Sequence, residues 1–481
     1  MILPSRQDVP RSPFAADVIA RLPLAEAVLS LWSYLSQDDF LDQIFQQHRG
    51  RSFEDTLTFP VFVQLMADAL TRYHGSGRKS FLQAKEQQRL STGIRTVYAK
   101  LGRIPLPLSL GFFHDFTARL RPLLPAGTVV TALPTSLDEL AIVVVDGKKI
   151  KRVAKRLRWL RGLPGKVYGG KLLVAYLPRP GLAVAVAADP DGEANDIRLV
   201  PALLPQARAC IGGPRLWVLD RQFCDLDQPE RLSQDGDHFL IRFSLKTGFH
   251  PDPQRPARTG YDASGRPLTE EWGWMGAAAE PRRRYVRRIT LERPGEEAVI
   301  LVTDLLDPER YPAADLLTVY LARWQIETVF QQITEVFDLR QLIGATPEAT
   351  VFQASLCLVL YNLVQVVRAY IAAGRSEPTP VQNLSVEKIF DDLREELVAL
   401  HKMLDVPEVL ACLPRPMTTV ELVERLRALL SRAWSSEWLK AKSTKRRRKT
   451  EKAKSSGAHT SVHKVREAHR QQQAKTRAPS G

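Results

Sequence analysis

Apolar side chains recur at intervals of three and four through residues 1–135, in segments such as AEAVLSLWSYL, FPVFVQLMADALTRY and LGFFHDFTARLRPLL. This spacing places apolar side chains on one face of a helix, and strand-like alternation is scarce in the same region. It predicts a helical N-terminal domain. Ser91 is placed to cap a helix that carries Arg95, Lys100 and Arg103, a combination suited to contacting DNA but also common on solvated helix faces.

From residue 136 the apolar runs become short and rich in β-branched residues. LAIVVV at 140–145 predicts one strand, and the runs at 171–177 and 182–188 predict a hairpin because PRPG, a turn sequence, joins them. A helical segment at 195–209 then precedes two more predicted strands, RLWVL and HFLIRFSL. This succession over residues 136–245 predicts an α/β fold with a mixed sheet.

The composition shifts again over residues 246–303, where Gly, Pro and Arg separate two predicted strands at 284–291 and 298–302. We interpret this segment as an inserted β-rich subdomain. A helical pattern returns in residues 304–350, which we assign to the last part of the α/β domain.

Residues 351–438 predict a helical C-terminal region, with a long apolar helix at 351–373 and amphipathic segments at 385–404 and 419–433. The run from 351 to 367 is uncharged, but three polar residues interrupt it: Gln353, Asn362 and Gln365. This pattern favours a buried helix over a membrane span. The amphipathic helices, apolar along one stripe, are candidates for pairing two subunits.

The net charge of +15 is concentrated in a tail. From residue 440 to 481 there are 14 Lys and Arg against 2 Glu, a balance of +12, so the remainder holds 54 basic and 51 acidic residues, or +3. We predict that residues 439–481 form a disordered basic tail attracted to polyanions, with Arg446, Arg447 and Arg448 contacting DNA. A merely solubilising tail is the alternative.

The four cysteines are far apart and form no CxxC pair, which favours a reducing cytoplasm.

Two predicted strands each end in an aspartate, VVVD at Asp146 and WVLD at Asp220. Strand ends are where α/β sheets place their sites. Either acid alone has an ordinary explanation, since Asp146 precedes a glycine in a common turn sequence and Asp220 is placed to cap the following helix. The pair gains significance from a third acid.

That third acid is Glu327, in the segment YLARWQIETVFQQIT. At 100 degrees per residue, Arg323, Glu327 and Thr334 lie at about 300, 340 and 320 degrees from Tyr320 on a helix. The apolar residues of the segment occupy about 180 to 280 degrees, so the polar row borders the buried face. A carboxylate there is positioned against the sheet. The alternative is a surface ion pair between Arg323 and Glu327.

Carboxylates from several chain segments suit Mg²⁺ or Mn²⁺, and no His/Cys cluster suggests zinc. Two such ions would activate a nucleophile for in-line attack on a phosphodiester. The segment KKIKRVAKRLRWLR, residues 148–161, has eight basic residues in fourteen and no acid. A phosphate backbone fits this segment, which contributes four candidate DNA-binding residues: Lys148, Lys149, Lys151 and Arg152.

The sequence TDLLDPERYPAADLLTVYLARWQIETVFQQIT closely resembles the hallmark of the DDE transposases of bacterial insertion sequences, in particular the insertion-sequence-four family. That hallmark is Tyr, two residues, Arg, three residues, Glu, six residues and Lys. Tyr320, Arg323 and Glu327 match it, and the resemblance covers residues 146–334. It implies an RNase H-like catalytic core interrupted by an all-β insertion, here residues 246–303.

The resemblance also implies roles for single residues. Asp146, Asp220 and Glu327 would bind the catalytic metals, while Tyr320 and Arg323 would hold phosphates at the transposon end. Family members join freed 3′ ends to a target, commonly through hairpin intermediates with an extruded base. Tryptophans are candidates for stacking on that base, namely Trp272, Trp274 and Trp324, and arginines of PRRRYVRRIT, including Arg284, are candidates for backbone contacts.

Two positions depart from the family pattern. Gln222 stands where the motif after the second acid usually has glycine. Thr334 stands where the lysine is expected, and a threonine supplies a hydrogen bond without charge. Either another cation compensates or this chain is impaired, and Arg340 is a poor substitute because helix geometry puts it at about 200 degrees, on the apolar side.

We therefore expect an Mg²⁺-dependent (or Mn²⁺-dependent) transposase with a DNA-end-binding domain at 1–135, acting as a homodimer in the synaptic complex. Its partners would be the transposon terminal inverted repeats and target DNA, and no membrane. It would act in the cytoplasm, associated with the nucleoid. One alternative is an RNase H-like nuclease without strand transfer. Another is a catalytically decayed or domesticated DNA-binding protein, which the threonine at 334 keeps open.

Overall fold

The computed structural model describes residues 13–151, 153–262, 264–375, 379–404, 408–409, 412–413, 418–441 and 458–477. Four residues of the predicted DNA-binding set lie outside these described residues: Arg152, Arg446, Arg447 and Arg448. The described chain forms one large mixed sheet with helices on both faces. The predicted α/β class is confirmed, and the architecture is consistent with an RNase H-like core.

The region before the first strand is helical, as its apolar spacing predicted. Its helices are α1 (Pro13–Ala20), α2 (Pro23–Leu35), α3 (Asp38–His48), α4 (Phe59–Thr71), α5 (Gly77–Glu86), α6 (Ile94–Leu101) and α7 (Leu106–Leu120). Phe59, Phe62 and Phe112 are fully buried, and each ring packs against Phe352 of a later helix. The N-terminal helices therefore share a core with the C-terminal half of the chain.

The strands of the described chain are β1 (Ala141–Lys149), β2 (Lys166–Tyr168), β3 (Lys171–Leu177), β4 (Leu182–Asp189), β5 (Arg215–Leu219), β6 (His238–Arg242), β7 (Phe249–Pro251), β8 (Arg258–Tyr261), β9 (Pro267–Met275), β10 (Arg284–Leu291), β11 (Val299–Thr303) and β12 (His459–Ser461). Ten of them form one sheet in the order β4-β3-β1-β5-β6-β11-β10-β9-β7, with β8 added on β9. β1 runs parallel to β5, and β5 parallel to β6, whereas the β1–β3 and β3–β4 pairs are antiparallel.

Both faces of the central strands are covered because their side chains alternate between two cores. Val143 and Val145 of β1 pack in the cluster that includes α8, while Ile142 and Val144 pack in the cluster that includes α7 and the C-terminal helices. This double burial explains why LAIVVV is apolar throughout instead of alternating.

The later helices are α8 (Val200–Cys210), α9 (Gln228–Leu232), α10 (Ala313–Ala322), α11 (Trp324–Glu335), α12 (Pro347–Ala373), α13 (Val386–Met403), α14 (Thr419–Leu430) and α15 (Val462–Arg477). Of the described helices, α12 alone is long and apolar enough to cross a membrane, yet 94% of its most apolar window is buried inside the protein. Asn362 of α12 bonds to both backbone groups of Ala183 in β4, at 3.0 and 2.7 Å. The apolar run is thus a core helix, as its polar interruptions predicted.

Residues 246–303 are rich in strands, as predicted, but these strands do not stand apart from the core. β11 pairs with β6, and β10 and β9 extend the same sheet beyond it. The predicted strands at 284–291 and 298–302 correspond to β10 and β11, whereas β7, β8 and β9 were not predicted. β7 and β8 are only three and four residues long, and β9, although nine residues long, begins at Pro267 and contains Gly273, so their periodicity was hidden.

The tail prediction is wrong for residues 458–477, which form β12 and α15. β12 pairs in parallel with β2, and the cations of α15 meet carboxylates of the core: Lys464 lies 2.5 Å from Glu193, and Arg466 lies 2.8 Å from Glu348. Composition alone suggested disorder because the compensating acids are more than 100 residues away in the sequence.

Helix α2 lies between α13 and α14. The Ala25 amide donates to Glu396 Oε2 at 2.8 Å, and the hydroxyls of Tyr34 and Thr419 are 2.8 Å apart. The apolar stripes of α13 and α14 are buried against this N-terminal region. Those stripes are consequently occupied within one chain, which removes the basis on which we predicted that they pair two subunits.

Arg394 of α13 ties three segments of the fold together. Its guanidinium lies 3.0 Å from Asp338 Oδ2 and 3.0 Å from His74 Nδ1, and it donates to the carbonyls of Leu70 and Val336 at 3.3 Å. Asp338 follows α11 and has a φ of 57°, in the left-handed region, which aspartate adopts more readily than most residues other than glycine. Arg394 therefore holds the turn after α11 against the N-terminal helices.

We expect Arg394→Met to lower the free energy of unfolding by about 3–5 kcal/mol, because it leaves the buried Asp338 carboxylate without its partner. The loss would be measured as a shift of the urea midpoint followed by circular dichroism. Lys402→Met, at an exposed position of the same helix, should stay within about 0.5 kcal/mol of the parent. Equal midpoints for the two variants would contradict this role of Arg394.

Candidate active site

The parallel pairing of β1 and β5 brings the two aspartates together. Its register ends at Val145 opposite Leu219, so Asp146 and Asp220 are the next residues on two adjacent strands. β1 itself does not end there, since it continues to Lys149 through its pairing with β3. Asp146 is therefore inside a strand, which corrects the prediction that it lies at a strand end and also excludes the alternative that it belongs to a turn.

The segment carrying Glu327 is two helices, not one. α10 ends at Ala322 and α11 begins at Trp324, while Arg323 between them keeps helical dihedral angles. The Arg323 amide bonds to the Tyr320 carbonyl, and the Ile326 amide bonds to the Arg323 carbonyl, both at 3.1 Å. These bonds span three residues instead of four, so the helix tightens at Arg323.

Arg323 connects the acids. One guanidinium nitrogen lies 3.4 Å from Asp146 Oδ2, and the other lies 3.3 Å from Glu327 Oε1. The Arg323 side chain is only 5% exposed, whereas Glu327 is 43% exposed. The ion pair that the sequence offered as the alternative therefore forms, but its guanidinium is buried against Asp146. The Tyr320 hydroxyl donates to Asp220 Oδ1 at 3.4 Å. The polar row of the predicted helix thus meets both strand acids.

The electrostatics of the cluster show how close these groups are. Burial raises the pKa of Asp146 to about 6; Asp220 and Glu327 add to the rise, while the Gly147 amide and Arg323 act against it. Burial also raises the pKa of Tyr320, and the Asp220 charge adds to this. Burial alone would lower the pKa of Arg323, but Tyr320 and the three acids raise it overall.

A divalent metal fits this donor set in kind, because carboxylate oxygens are the ligands that Mg²⁺ and Mn²⁺ prefer. Burial is the main cause of the raised pKa of Asp146, and the Asp220 and Glu327 carboxylates add to it. In the described chain, however, no three His, Cys, Asp or Glu side chains are close enough to hold a metal ion. The guanidinium of Arg323 lies between Asp146 and Glu327, where it partly neutralises them.

A cavity of about 780 Å³ opens beside the acids. It extends along α11, whose first turn carries Glu327 and whose last turn carries Thr334, about 10 Å further along the helix axis. Its lining includes Asp146, Glu327 and Gln222 together with the predicted DNA-binding lysines Lys148, Lys149 and Lys151. Gln222, which stands where the family pattern has glycine, therefore faces the same cavity as Asp146 and Glu327.

Lys148 provides a cation close to Thr334, the position where the family pattern has a lysine. Its ammonium donates to Thr334 Oγ1 at 2.8 Å and to the Phe330 carbonyl at 3.0 Å, and it lies 5.6 Å from the centre of the Phe330 ring. Burial lowers the pKa of Lys148 to about 8, with Lys151 lowering it further and Glu335 raising it. A cation therefore occupies the neighbourhood of residue 334 although residue 334 carries no charge.

Arg340 also lines this cavity, contrary to the prediction from helix geometry. α11 ends at Glu335, so the angle computed for residue 340 on a continuous helix does not apply. The Arg340 amide bonds to the Thr334 carbonyl at 3.1 Å, which folds the chain back over the last turn.

Sequence reasoning missed a buried ion pair under the cavity. Lys171 Nζ lies 2.6 Å from Asp196 Oδ1, and both side chains are less than 10% exposed. A Cβ added to Gly147 would lie 2.3 Å from the same Asp196 oxygen, so the carboxylate packs directly on the backbone next to Asp146. The only signal was a charged residue at the start of an apolar strand, KLLVAYL.

Other predicted site residues lie elsewhere. Arg284 is on β10 and Trp274 on β9, separated from β5 by β6 and β11 in the sheet, and neither lines the cavity. Trp274 is 37% exposed and packs against Tyr285. Trp324, by contrast, is 55% exposed beside Arg323.

Two neighbours of these residues are structural. Trp272 is buried, and its indole N–H donates to the Leu306 carbonyl at 2.9 Å. Arg287 is fully buried and paired with Glu270. Strand alternation sends both side chains inward, so they are unavailable to DNA.

Comparison with known proteins supports the class that this arrangement defines. Residues 138–363 match the family model described as "Transposase DDE domain"; this range begins just before β1, ends within α12 and contains all three acids. A curated protein of Sinorhizobium fredii, named "Putative transposase y4zB", is 30% identical over 203 residues. The match covers 42% of this chain and spans about half, 54%, of that relative. Both matches support a DDE transposase.

We expect Gly147→Ala to destabilise the protein by about 1–3 kcal/mol, because the added methyl group overlaps the Asp196 carboxylate. Urea unfolding would measure the loss. Gly212→Ala is the matched control, since a Cβ at that exposed glycine meets nothing within 4 Å. If both variants unfold at the same urea concentration, Asp196 does not pack on Gly147 as described.

Proposed function

We propose that this protein is a DNA transposase of the DDE type that performs cut-and-paste transposition of an insertion sequence. The observation that carries the proposal is that Asp146 and Glu327 both contact the buried Arg323 guanidinium, while Asp220 contacts the Tyr320 hydroxyl, beside a cavity lined by lysines. The resemblance to the insertion-sequence-four family adds support. We further propose that residues 246–303 are an insertion within an RNase H-like core.

The chain's own residues prepare a phosphodiester for in-line attack. Arg323 carries a charge at the acids and is pre-organised by burial, so it can bind a phosphate oxygen bidentately with little further ordering. Tyr320 orients the Asp220 carboxylate through its hydroxyl. The lysines of the cavity lower the cost of bringing a polyanion beside three carboxylates.

Asp146, Asp220 and Glu327 are the residues that would hold Mg²⁺, or Mn²⁺. Bound there, such ions would supply charge neutralisation and would lower the pKa of the attacking hydroxyl. Arg323 competes for the same carboxylates, so its release toward the phosphate would free them.

DNA binding is proposed for three regions. The first is the basic segment 148–161, of which Lys148, Lys149 and Lys151 line the cavity. The second is the helical region 1–135, as the site that recognises terminal inverted repeats. The third is the part of the tail that contains Arg446, Arg447 and Arg448, which lies outside the described residues. Arg284 and Trp274 are proposed as additional outer contacts. A homodimeric synaptic complex acting on cytoplasmic, nucleoid DNA completes the proposal.

We predict that Asp146→Ala, Asp220→Ala and Glu327→Ala each abolish Mg²⁺-dependent cleavage of transposon ends while DNA binding persists. Each substitution removes one of three carboxylates that act as a unit. The substrate would be an oligonucleotide copied from inverted repeats flanking the gene, and cleaved and joined products would be resolved on a sequencing gel. Glu309→Ala, at an exposed position outside the cavity, is the control.

Normal cleavage by any one acid variant would remove that residue from the catalytic set. Cleavage without joined product, under conditions in which target DNA is present, would favour a nuclease that lacks strand transfer. An intact parent that binds the ends but never cuts them would favour a DNA-binding protein without catalysis.

We also predict that Mg²⁺ or Mn²⁺ affinity falls as the pH drops through about 6. The pKa of Asp146 is raised to about 6 in the metal-free protein, so below that pH its carboxyl is protonated and a proton must leave before the metal binds. Titration calorimetry in two buffers of different ionisation enthalpy would count the released protons. Equal affinity at pH 5 and pH 7, with no proton release at pH 5, would contradict a role for Asp146 as ligand.

A further inference from the structure

The part of the cavity along the last turn of α11 differs from the part at the acids. Lys148, Lys151 and Arg340 line it, and Glu335 is the acid among them. Lys171 also lines the cavity but is already neutralised by Asp196. Since Glu327 and Thr334 are about 10 Å apart along the helix, a phosphate bound at this part is not the one at the acids.

Among the described residues, Lys148 is held in place by two hydrogen bonds, which leaves one of its N–H donors for a ligand. An ammonium has three N–H donors, and within the described chain two of them go to the Phe330 carbonyl and Thr334 Oγ1. Neither acceptor is a carboxylate, so the charge is not cancelled by its own anchors. Thr334 in turn donates to the Phe330 carbonyl at 2.6 Å, which fixes the threonine oxygen as an acceptor for Lys148.

Arg340 reaches the same space from a fixed turn. Asp338, held by Arg394, reverses the chain after α11, and the Arg340 amide closes on the Thr334 carbonyl at 3.1 Å. The Arg340 side chain remains exposed in the cavity lining. Two cations from separate segments, β1 and the turn after α11, thus line the cavity together with Thr334.

We propose that Lys148 and Arg340, organised by Thr334, form a phosphate subsite for a second phosphodiester of the DNA strand whose reacting phosphodiester lies at the acids. This inference rests on the proposed function and deepens it. It assigns Lys148 of the basic segment to one particular phosphate, and it assigns Thr334 the role of positioning the Lys148 ammonium.

If this subsite exists, removing one of its cations should make DNA binding less dependent on salt concentration. Each protein cation that neutralises a phosphate contributes about 0.9 to the slope of log K against log salt for duplex DNA. Lys148→Met and Arg340→Met should each reduce that slope by about 0.9, measured by fluorescence anisotropy with a labelled duplex and without Mg²⁺. Lys402→Met removes an exposed charge on α13 and should leave the slope unchanged.

Relocating the charge gives the sharpest test. Because Lys148 Nζ lies 2.8 Å from Thr334 Oγ1, a lysine at 334 brings its ammonium to the same place. The double variant Lys148→Met with Thr334→Lys should recover the parental slope, whereas Thr334→Lys alone should add no contact, since two ammonium groups then repel each other. A merely structural Lys148 would not be rescued in this way.

The outcomes separate this inference from the proposed function. If the parent fails to bind duplex DNA at all, the proposed function falls with it. If the parent binds and both single variants match Lys402→Met, the subsite is wrong while the proposed function stands. If Lys148→Met does not fold, Arg340→Met, on the exposed side of the turn, decides by the same slope. A changed slope without recovery in the double variant would overturn the role given to Thr334.

Discussion

The site depends on one buried guanidinium. Burial raises the pKa of Asp146 to about 6, and repulsion by the Asp220 and Glu327 carboxylates adds to the rise. Arg323, in contact with Asp146 and Glu327, opposes that repulsion. Burial of a charge is costly unless it is paired, so Arg323 and the acids require one another. The tightened turn that separates α10 from α11 is where this guanidinium enters the cluster.

The fold delivers the remaining groups through the sheet and the turn after α11. Parallel register between β1 and β5 sets Asp146 beside Asp220, and the continuation of β1 along β3 carries Lys148 out to the last turn of α11. Asp146 and Lys148 are two residues apart on the same strand and therefore lie on the same face. Asp146 is one of the acids at one part of the cavity, and Lys148 is one of the cations at the other part.

Much of this was readable from sequence, because periodicity reports local structure. The strands carrying Asp146 and Asp220, the core helix α12 and the polar row of Tyr320, Arg323 and Glu327 all follow from spacing. What sequence could not supply depends on distant pairing. The docking of residues 459–477 depends on acids far away in the chain. β7 and β8 are too short to show their period, and Arg340 reaches the cavity only because α11 stops at Glu335.

Anomalous diffraction from Mn²⁺-soaked crystals of the chain bound to DNA tests the central claim most directly. The account predicts an anomalous peak within about 2.2 Å of carboxylate oxygens of Asp146 and Asp220, with Arg323 turned toward a phosphate. A well-ordered complex in which Mn²⁺ binds away from these acids, or in which Arg323 stays paired with Glu327 and no ion enters, would contradict it.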